Sequence, residues 1–420
     1  MASLKRVLGF WDCVFINLAS IIGAGIFVVI GVASGLAGPA IIISMVVAGI
    51  ASVFIGLTFA ELGQLIPKEG GVFEYGEELL SPFAGFLGGW LWIFAGIVSV
   101  SALALALANY ILPLIPSLGL PVTFLASIII LIIGLLNFLN VKTSAKLDMI
   151  FVVFVVLVLL VFSIFGLIHF NPVNFSNFAP GGAYGVLGGA SLVFFDYLGF
   201  TKITAMGDEV KNPRRNIPFS IIFSILIVVV LYILTSFAAI SLGGSAIYNS
   251  SEPLAAAVGG FGTLGVWLIS LAAIVAMIQV MFTSIMGSSR VMLAMSGKKF
   301  LPKSMAQKSK SGVPIHSIVI ISIFSIMLAF TNNLVFVISA TSFSYLLFFI
   351  ISGFAALKLK KSVFPRWVVY GSILVSAALL FFLDFDAWIA GILVVFLAGL
   401  YWTLGEPNSV KSSSFKRSDF

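Results

Sequence analysis

Charge is scarce in this sequence. Of 420 residues, 9% are Asp, Glu, Lys or Arg and 61% are hydrophobic, and the mean hydropathy is +1.21. A soluble chain would carry roughly 25% charged residues. The expected solvent is therefore lipid. Cysteine occurs once, at Cys13, which excludes an intrachain disulfide and a cysteine-built metal cluster. The two histidines, His169 and His316, fall near expected helix ends and argue against a haem or zinc site. A cleavable signal is also missing. The first apolar run is too long and lacks a small-residue cleavage site, so it is expected to stay as a span. No polar stretch is long enough for a soluble domain.

What the sequence has is apolar length. Twelve spans are expected, at about 13–32, 38–63, 83–112, 121–140, 147–169, 185–206, 218–243, 262–293, 314–331, 333–357, 366–384 and 387–404. The class is an all-α integral membrane protein. With the N-terminus inside, the inner loops and termini hold Lys5, Arg6, Lys68, Lys142, Lys146, Lys211, Arg214, Arg215, Arg290, Lys298, Lys299 and Lys358, among others. The outer loops hold Glu252, Asp384 and Asp386 and no Lys or Arg. That asymmetry fixes both termini as cytoplasmic in a cell membrane. It also accounts for the net charge of +7 without nucleic acid, with lipid as the partner. Residues 405–420 read as a polar tail.

Two spans carry internal interruptions. IIGAGIF, residues 21–27, sets Gly23 and Gly25 in the middle of span 1. Alone, Gly-x-Gly in a membrane helix marks close packing more often than a break. But span 6 reads SLVFFDYLGFTKITAMGDEV, with Asp196 in mid-span and Gly199 just after it. A carboxylate at that depth is costly unless it faces a cavity or a partner. Interruptions five spans apart point to an inverted repeat: about 10–170 and 185–358, with spans 11 and 12 at about 366–404 outside it. A broken helix offers free N–H groups and a positive dipole end to an anion, and free C=O groups to a cation. An α-amino acid presents both charges together.

Four stretches carry a family resemblance: SIIGAGIF (20–27), FAELGQLIPKEGGVFEYGEELLSPFAGFLGGW (59–90), FFDYLGFTKITAMGDEVKNPRRNIPFSI (194–221) and SSRVMLAMSGKKFLP (288–302). In this order and spacing the chain resembles the amino acid–polyamine–organocation transporter family. The resemblance implies a LeuT-type fold of 5+5 repeated helices plus two, with helices 1 and 6 discontinuous, working by alternating access. It implies that the backbone of Gly23, Ala24 and Gly25, with Ile26 beside them, holds the substrate carboxylate. Carbonyls near Ile21, Phe195 and Leu198, next to Gly199, would hold the ammonium. Phe195 would gate the site, and Phe94, Ala95 and Phe282 would wall it, which favours a small or apolar substrate side chain. Pro67, Gly70 and Gly71 read as connector turns. Asp208, Glu209, Lys211, Arg214 and Arg215 read equally as a cytoplasmic charge network or as a solvated loop.

The sequence departs from the family in places. Proton-coupled members often carry a lysine in mid-span 5, where Val155 stands here, and nothing between Met149 and Ile168 ionises. Asp196 stands where a small neutral residue is usual, and Thr201 with Lys202 where an acid is common. Three accounts of coupling stay open: exchange without an ion, sodium held by Thr283 or Ser284, or a proton carried by Asp196, which is also a substrate-binding candidate because an ionised carboxyl there could hold the substrate ammonium or sodium. Gln279 is a further polar candidate in span 8. Lys202 is expected to snorkel towards the cytoplasmic side. The reading is an amino acid symporter or exchanger with no cofactor beyond a coupling H+ or Na+. The alternatives are a polyamine or amine permease, or a sensor that binds without carrying. No catalytic set supports an enzyme. Oligomeric state is not legible.

Overall fold

A computed structural model describes residues 6, 8–23, 25–66, 71–138, 144–205, 210–309 and 313–405. They form helices joined by short turns. Among the described residues there is no β-strand, and a lone parallel bridge joins Leu8 to Val210. Helices α1 (Phe10–Ile21), α2 (Ile30–Ala37) and α3 (Ile41–Leu65) fill the first two expected spans. The short α4 (Gly71–Leu79) leads to α5 (Pro82–Ile111), α6 (Val122–Leu136) and α7 (Ser144–Ile168). Then come α8 (Gly182–Val193), the single turn α9 (Lys202–Ala205), α10 (Pro213–Gly243) and the short α11 (Pro253–Val258). The chain continues through α12 (Thr263–Gly297), α13 (Ile315–Ala329), α14 (Leu334–Leu357), α15 (Arg366–Phe381) and α16 (Phe385–Gly405).

Local chemistry sets several of these ends. Pro82 opens α5, and the Ser81 hydroxyl accepts from the Ala84 N–H at 3.1 Å. The Asn333 side chain accepts from Phe336 N–H at 3.0 Å and caps α14. Each side chain satisfies an N–H that the helix itself leaves orphaned. Asn212, in the left-handed region at φ 44°, turns the chain into Pro213 of α10.

Eight described stretches are long and apolar enough to cross a membrane, and three further apolar helices are shorter. The chain is a multi-pass membrane protein. Burial sorts the helices into centre and perimeter. The apolar window of α5 is 94% buried, whereas that of α16 is 28% buried. Leu157, Val161, Ile164 and Ile168 of α7 turn outward, as a lipid-facing surface requires. The central α5 packs along α12 and α14, and α10 packs along α3. Gly96 lets α5 approach α12, because a Cβ there would overlap the Ser288 hydroxyl.

The ends are tied by polar contacts. Lys211 N–H donates to the Leu8 carbonyl at 2.8 Å, which fastens the start of α1 to the segment before α10. Glu61, at 1% exposure near the end of α3, accepts from the Ser362 hydroxyl at 2.8 Å and Val363 N–H at 2.6 Å. Lys298, just past α12, bridges Glu74 and Glu77 of α4, at 2.8 Å to Glu74. Burial raises the Glu74 carboxyl above its ordinary range, although Lys298 pulls it back down. Of the connector and network residues named above, Pro67, Gly70, Asp208 and Glu209 lie outside the described residues.

Candidate functional site

Both interrupted spans are interrupted in the structure. After α1 the chain becomes extended at Ile22 (φ −75°, ψ 97°) and re-enters helix through a wide turn at Gly25–Val29 before α2. After α8 a tight turn spans Phe194–Tyr197. Leu198 is then extended (φ −66°, ψ 147°), and Gly199 has φ +123° before α9. That backbone angle is open to glycine and strained for other residues.

The two breaks meet. A Cβ on Gly199 would overlap the Ser20 carbonyl of the first break. A Cβ on Gly25 would lie 2.5 Å from the Asp196 Cα of the second. Each glycine therefore serves a contact between the breaks. The Tyr232 hydroxyl of α10 lies 3.2 Å from both the Ile21 and Asp196 carbonyls and bridges them. Outward of this, Tyr110 donates to the Phe27 carbonyl at 2.5 Å, and Tyr197 to the Met45 carbonyl at 3.0 Å. Tyr232 and Tyr110 thus occupy carbonyls at the interrupted segments, whereas Tyr197 ties the second break to α3.

A cavity of about 20 Å³ opens where the breaks meet. The first break lines it with Ser20, Ile21, Gly23 and Gly25, and the second with Phe195, Leu198, Gly199 and Lys202. Ser99 and Leu103 of α5, Val280 and Ser284 of α12, and Tyr345 of α14 complete the wall. Such a volume holds about one water. In this form the cavity is contracted, and any ligand larger than water needs the surrounding helices to part.

Most of the expected backbone residues converge here. Ile21, Gly23, Gly25, Phe195, Leu198, Gly199, Lys202 and Ser284 all line the cavity, while Ala24 lies outside the described residues. The expected side-chain walls do not line it: Ala95 is fully buried elsewhere, and Phe94 and Phe282 are partly buried in packing; Ile26, expected with the span-1 backbone, is likewise fully buried away from it. Gln279 and Thr283 are buried on α12 without lining the cavity. Ser20, Ser99, Leu103, Val280 and Tyr345 were not anticipated. Two pairs carried a usable signal. Ser99 with Leu103, and Val280 with Ser284, stand four apart on one helix face each, and Ser284 was already a candidate. Tyr345 carried none.

The two ionisable groups of the second break behave differently. Asp196 is 1% exposed, sits against Gly25, and neither carboxylate oxygen has a hydrogen-bond partner among the described residues. Lys202 corrects the snorkelling expectation. It is 7% exposed and turns inward, and its Nζ donates to Thr283 Oγ1 at 3.1 Å and Ser284 Oγ at 2.9 Å. The α9 turn begins at Lys202 and packs against α12, which puts the α12 hydroxyls within reach of the ammonium.

A family model of amino acid permeases matches residues 8–413. The chain belongs to the amino acid permease family. The permease is 31% identical over 327 residues to the branched-chain amino acid permease BcaP of Bacillus subtilis, covering 73% of this chain and 70% of that one. It is 31% identical over 318 residues to the methylthioribose transporter of the same organism, covering 71% and 69%. It is also 31% identical over 373 residues to cationic amino acid transporter 5 of Arabidopsis thaliana, covering 84% of this chain and 65% of the relative. The family and these relatives are transporters, and transport of small molecules is the activity class. The resemblance noted in the sequence is therefore a true membership.

Proposed function

We propose that the permease is a twelve-span secondary transporter that moves amino acids across the cell membrane by alternating access, with both termini cytoplasmic. The observation that carries this reading is the convergence of both broken spans on one cavity. Span 1 would offer N–H groups to the substrate carboxylate around Gly23 and Gly25. Span 6 would offer carbonyls to the ammonium around Phe195 and Leu198. Ile21, Leu198, Leu103 and Val280 supply apolar wall, which fits a small or apolar side chain.

Helix pairing supports a repeat over about 10–170 and 185–358, with 366–404 outside it. An inverted two-fold relation would pair span 2 with 7, 3 with 8 and 4 with 9. The corresponding helices α3 and α10, α5 and α12, and α6 and α13 pack on one another, and the two breaks touch. In such an arrangement one repeat can rock against the other around a fixed site.

For coupling, we favour a proton or substrate exchange over sodium. The Thr283 and Ser284 hydroxyls, which could have held sodium, accept from Lys202 instead. Thr283 also spends its own proton on the Val280 carbonyl at 3.1 Å. Asp196 and Lys202 are then the coupling candidates.

The test is uptake of a panel of labelled amino acids by proteoliposomes holding the permease, with sodium or a sodium substitute and with or without a pH gradient. Saturable uptake that survives sodium replacement is expected. Decarboxylated analogues should compete at least tenfold less well than their parents, since an unmatched buried N–H costs about 1–3 kcal/mol. Equal competition by the amines would sink the carboxylate site, and strict sodium dependence would sink the coupling assignment.

A further inference from the structure

The cavity that the amino acid reading rests on contains a charge that this reading weighs only for coupling, not for the choice of substrate side chain. Lys202 lines it, and Asp196 does not. The Lys202 ammonium is held at 3.1 Å and 2.9 Å by Thr283 and Ser284, which are neutral. Among the described residues no carboxylate lies within ion-pair distance of it. The two hydroxyls occupy two of its three donors and leave one N–H. The Asp196 carboxylate sits behind Gly25, in contact with the first break rather than facing the cavity wall.

We propose that Lys202 sets the charge selectivity of the site: amino acids with neutral or acidic side chains are accepted, and cationic amino acids and polyamines are rejected. The inference rests on the amino acid reading given above. A second cation brought into a cavity walled by Ile21, Leu103, Phe195 and Val280 meets the ammonium with little water between them, and there a like charge is expensive. An acidic or amide side chain meets an N–H donor instead. A carboxylate facing the ligand would favour a cationic side chain, but the lining contains none, and its charged side chain is a lysine. The permease would then differ in substrate class from cationic amino acid transporter 5, although the two are 31% identical over 373 residues.

Lysine and norleucine make the matched pair, since they differ chiefly in the terminal ammonium. Binding of each to the purified permease in lipid nanodiscs is read by ligand-induced thermal shift and by calorimetry. Norleucine should bind at least tenfold more tightly than lysine in the wild type. In Lys202→Met, which keeps length and removes charge, the norleucine-to-lysine preference should fall at least tenfold. Lys202→Arg, which keeps the charge, should retain it. Equal or tighter binding of lysine by the wild type overturns the proposal, as does an unchanged preference in a folded Lys202→Met. If Lys202→Met does not fold, the wild-type and Lys202→Arg preferences decide the matter. Failure of every common amino acid to bind the wild type would overturn the amino acid reading itself, a result distinct from loss of preference between two ligands that bind.

Discussion

The two broken spans solve one geometric problem with different chemistry. The first, at 22–24, has no ionisable residue, and its described part consists of Ile22, Gly23 and the adjoining Gly25. The second, at 194–201, puts Asp196 into its tight turn and is followed directly by Lys202. Each break is closed by the other: Gly199 receives the Ser20 carbonyl, and Gly25 receives Asp196. The difference separates two tasks. Backbone groups are the same for every amino acid and suit recognition of the shared carboxylate and ammonium. Ionisable side chains suit the tasks that vary between transporters, namely selectivity and coupling. On the proposed reading, the backbone of both breaks would form a general amino acid grip, and the ionisable side chains of the second would adapt it.

The largest effect should follow from filling the first break. In Gly25→Val the new side chain meets the backbone of Asp196, which cannot swing away as a flexible side chain would. Overpacking of this kind costs about 1–3 kcal/mol and shifts backbone. Substrate affinity should fall at least a hundredfold, or about 2.8 kcal/mol at 1.4 kcal/mol per decade. Calorimetry on protein that still elutes as a single species measures it. Gly199→Ala attacks the same contact from the other side and adds strain at φ +123°. If Gly25→Val binds normally while Gly199→Ala does not, the grip belongs to the second break alone.

Part of this arrangement was legible beforehand, and the reason is physical. A broken membrane helix needs residues that tolerate unusual backbone angles and close approach, so Gly23, Gly25 and Gly199 announced both breaks. Span 1 and span 6 backbone positions followed from them. Side-chain walls have no such local signature, since a phenylalanine facing the cavity and one packed against a neighbour share a helix period. Phe94, Ala95 and Phe282 were expected as wall, while Leu103, Val280 and Tyr345 line it. Lys202 was misplaced because snorkelling depends on what lies across the helix interface. The hydroxyls that hold it stand 81 and 82 positions away.

The next effect concerns Asp196, whose charge sharpens the contrast between the breaks. Its carboxylate is buried without a hydrogen-bond partner among the described residues, yet an amide of the same shape would meet the same surroundings. Asp196→Asn should therefore fold and reach the membrane. If the carboxyl carries the coupling proton, uptake driven by a pH gradient should fall to the level seen without one, while exchange between internal and external substrate continues. Proteoliposome uptake with and without the gradient reads both. Wild-type accumulation with an unchanged pH profile would make Asp196 a packing residue. The coupling group would then have to be sought at Lys202.

A smaller effect should follow from uncoupling the breaks while leaving both intact. Tyr232→Phe removes the hydroxyl that lies between the Ile21 and Asp196 carbonyls. A neutral hydrogen bond contributes about 0.5–1.5 kcal/mol, so affinity should weaken a few-fold, with the two breaks free to part more easily. A rise in the maximal transport rate alongside the weaker affinity would indicate that the bridge holds the closed form. A hundredfold loss would mean instead that Tyr232 is part of the grip.

The smallest effect belongs to a second lysine, which tests whether charge at the cavity differs in kind from charge at the helix ends. Lys298 is 38% exposed and bridges Glu74 and Glu77, whereas Lys202 is buried against hydroxyls. Removing a half-exposed partner costs about 1 kcal/mol or less. Lys298→Ala should lower the melting temperature slightly and leave ligand preference alone. Its pH dependence has a definite sign. Burial already raises the Glu74 carboxyl, and Lys298 opposes that rise. Without the lysine the carboxyl moves further up, so the folded state binds its proton over a wider range than the unfolded chain does. The protonated form is then the one that folding favours, and its contribution is complete below the ordinary Glu range. It is lost as pH climbs through the raised value. The destabilisation in Lys298→Ala should accordingly be greater at pH 8 than at pH 5 in a melting series. A deficit that grows on acidification would show that the Lys298 pair is not what holds α4 to the end of α12. A shift in the norleucine-to-lysine preference would show that charge at this end reaches the cavity, and the separation between structural and selective lysines would fail.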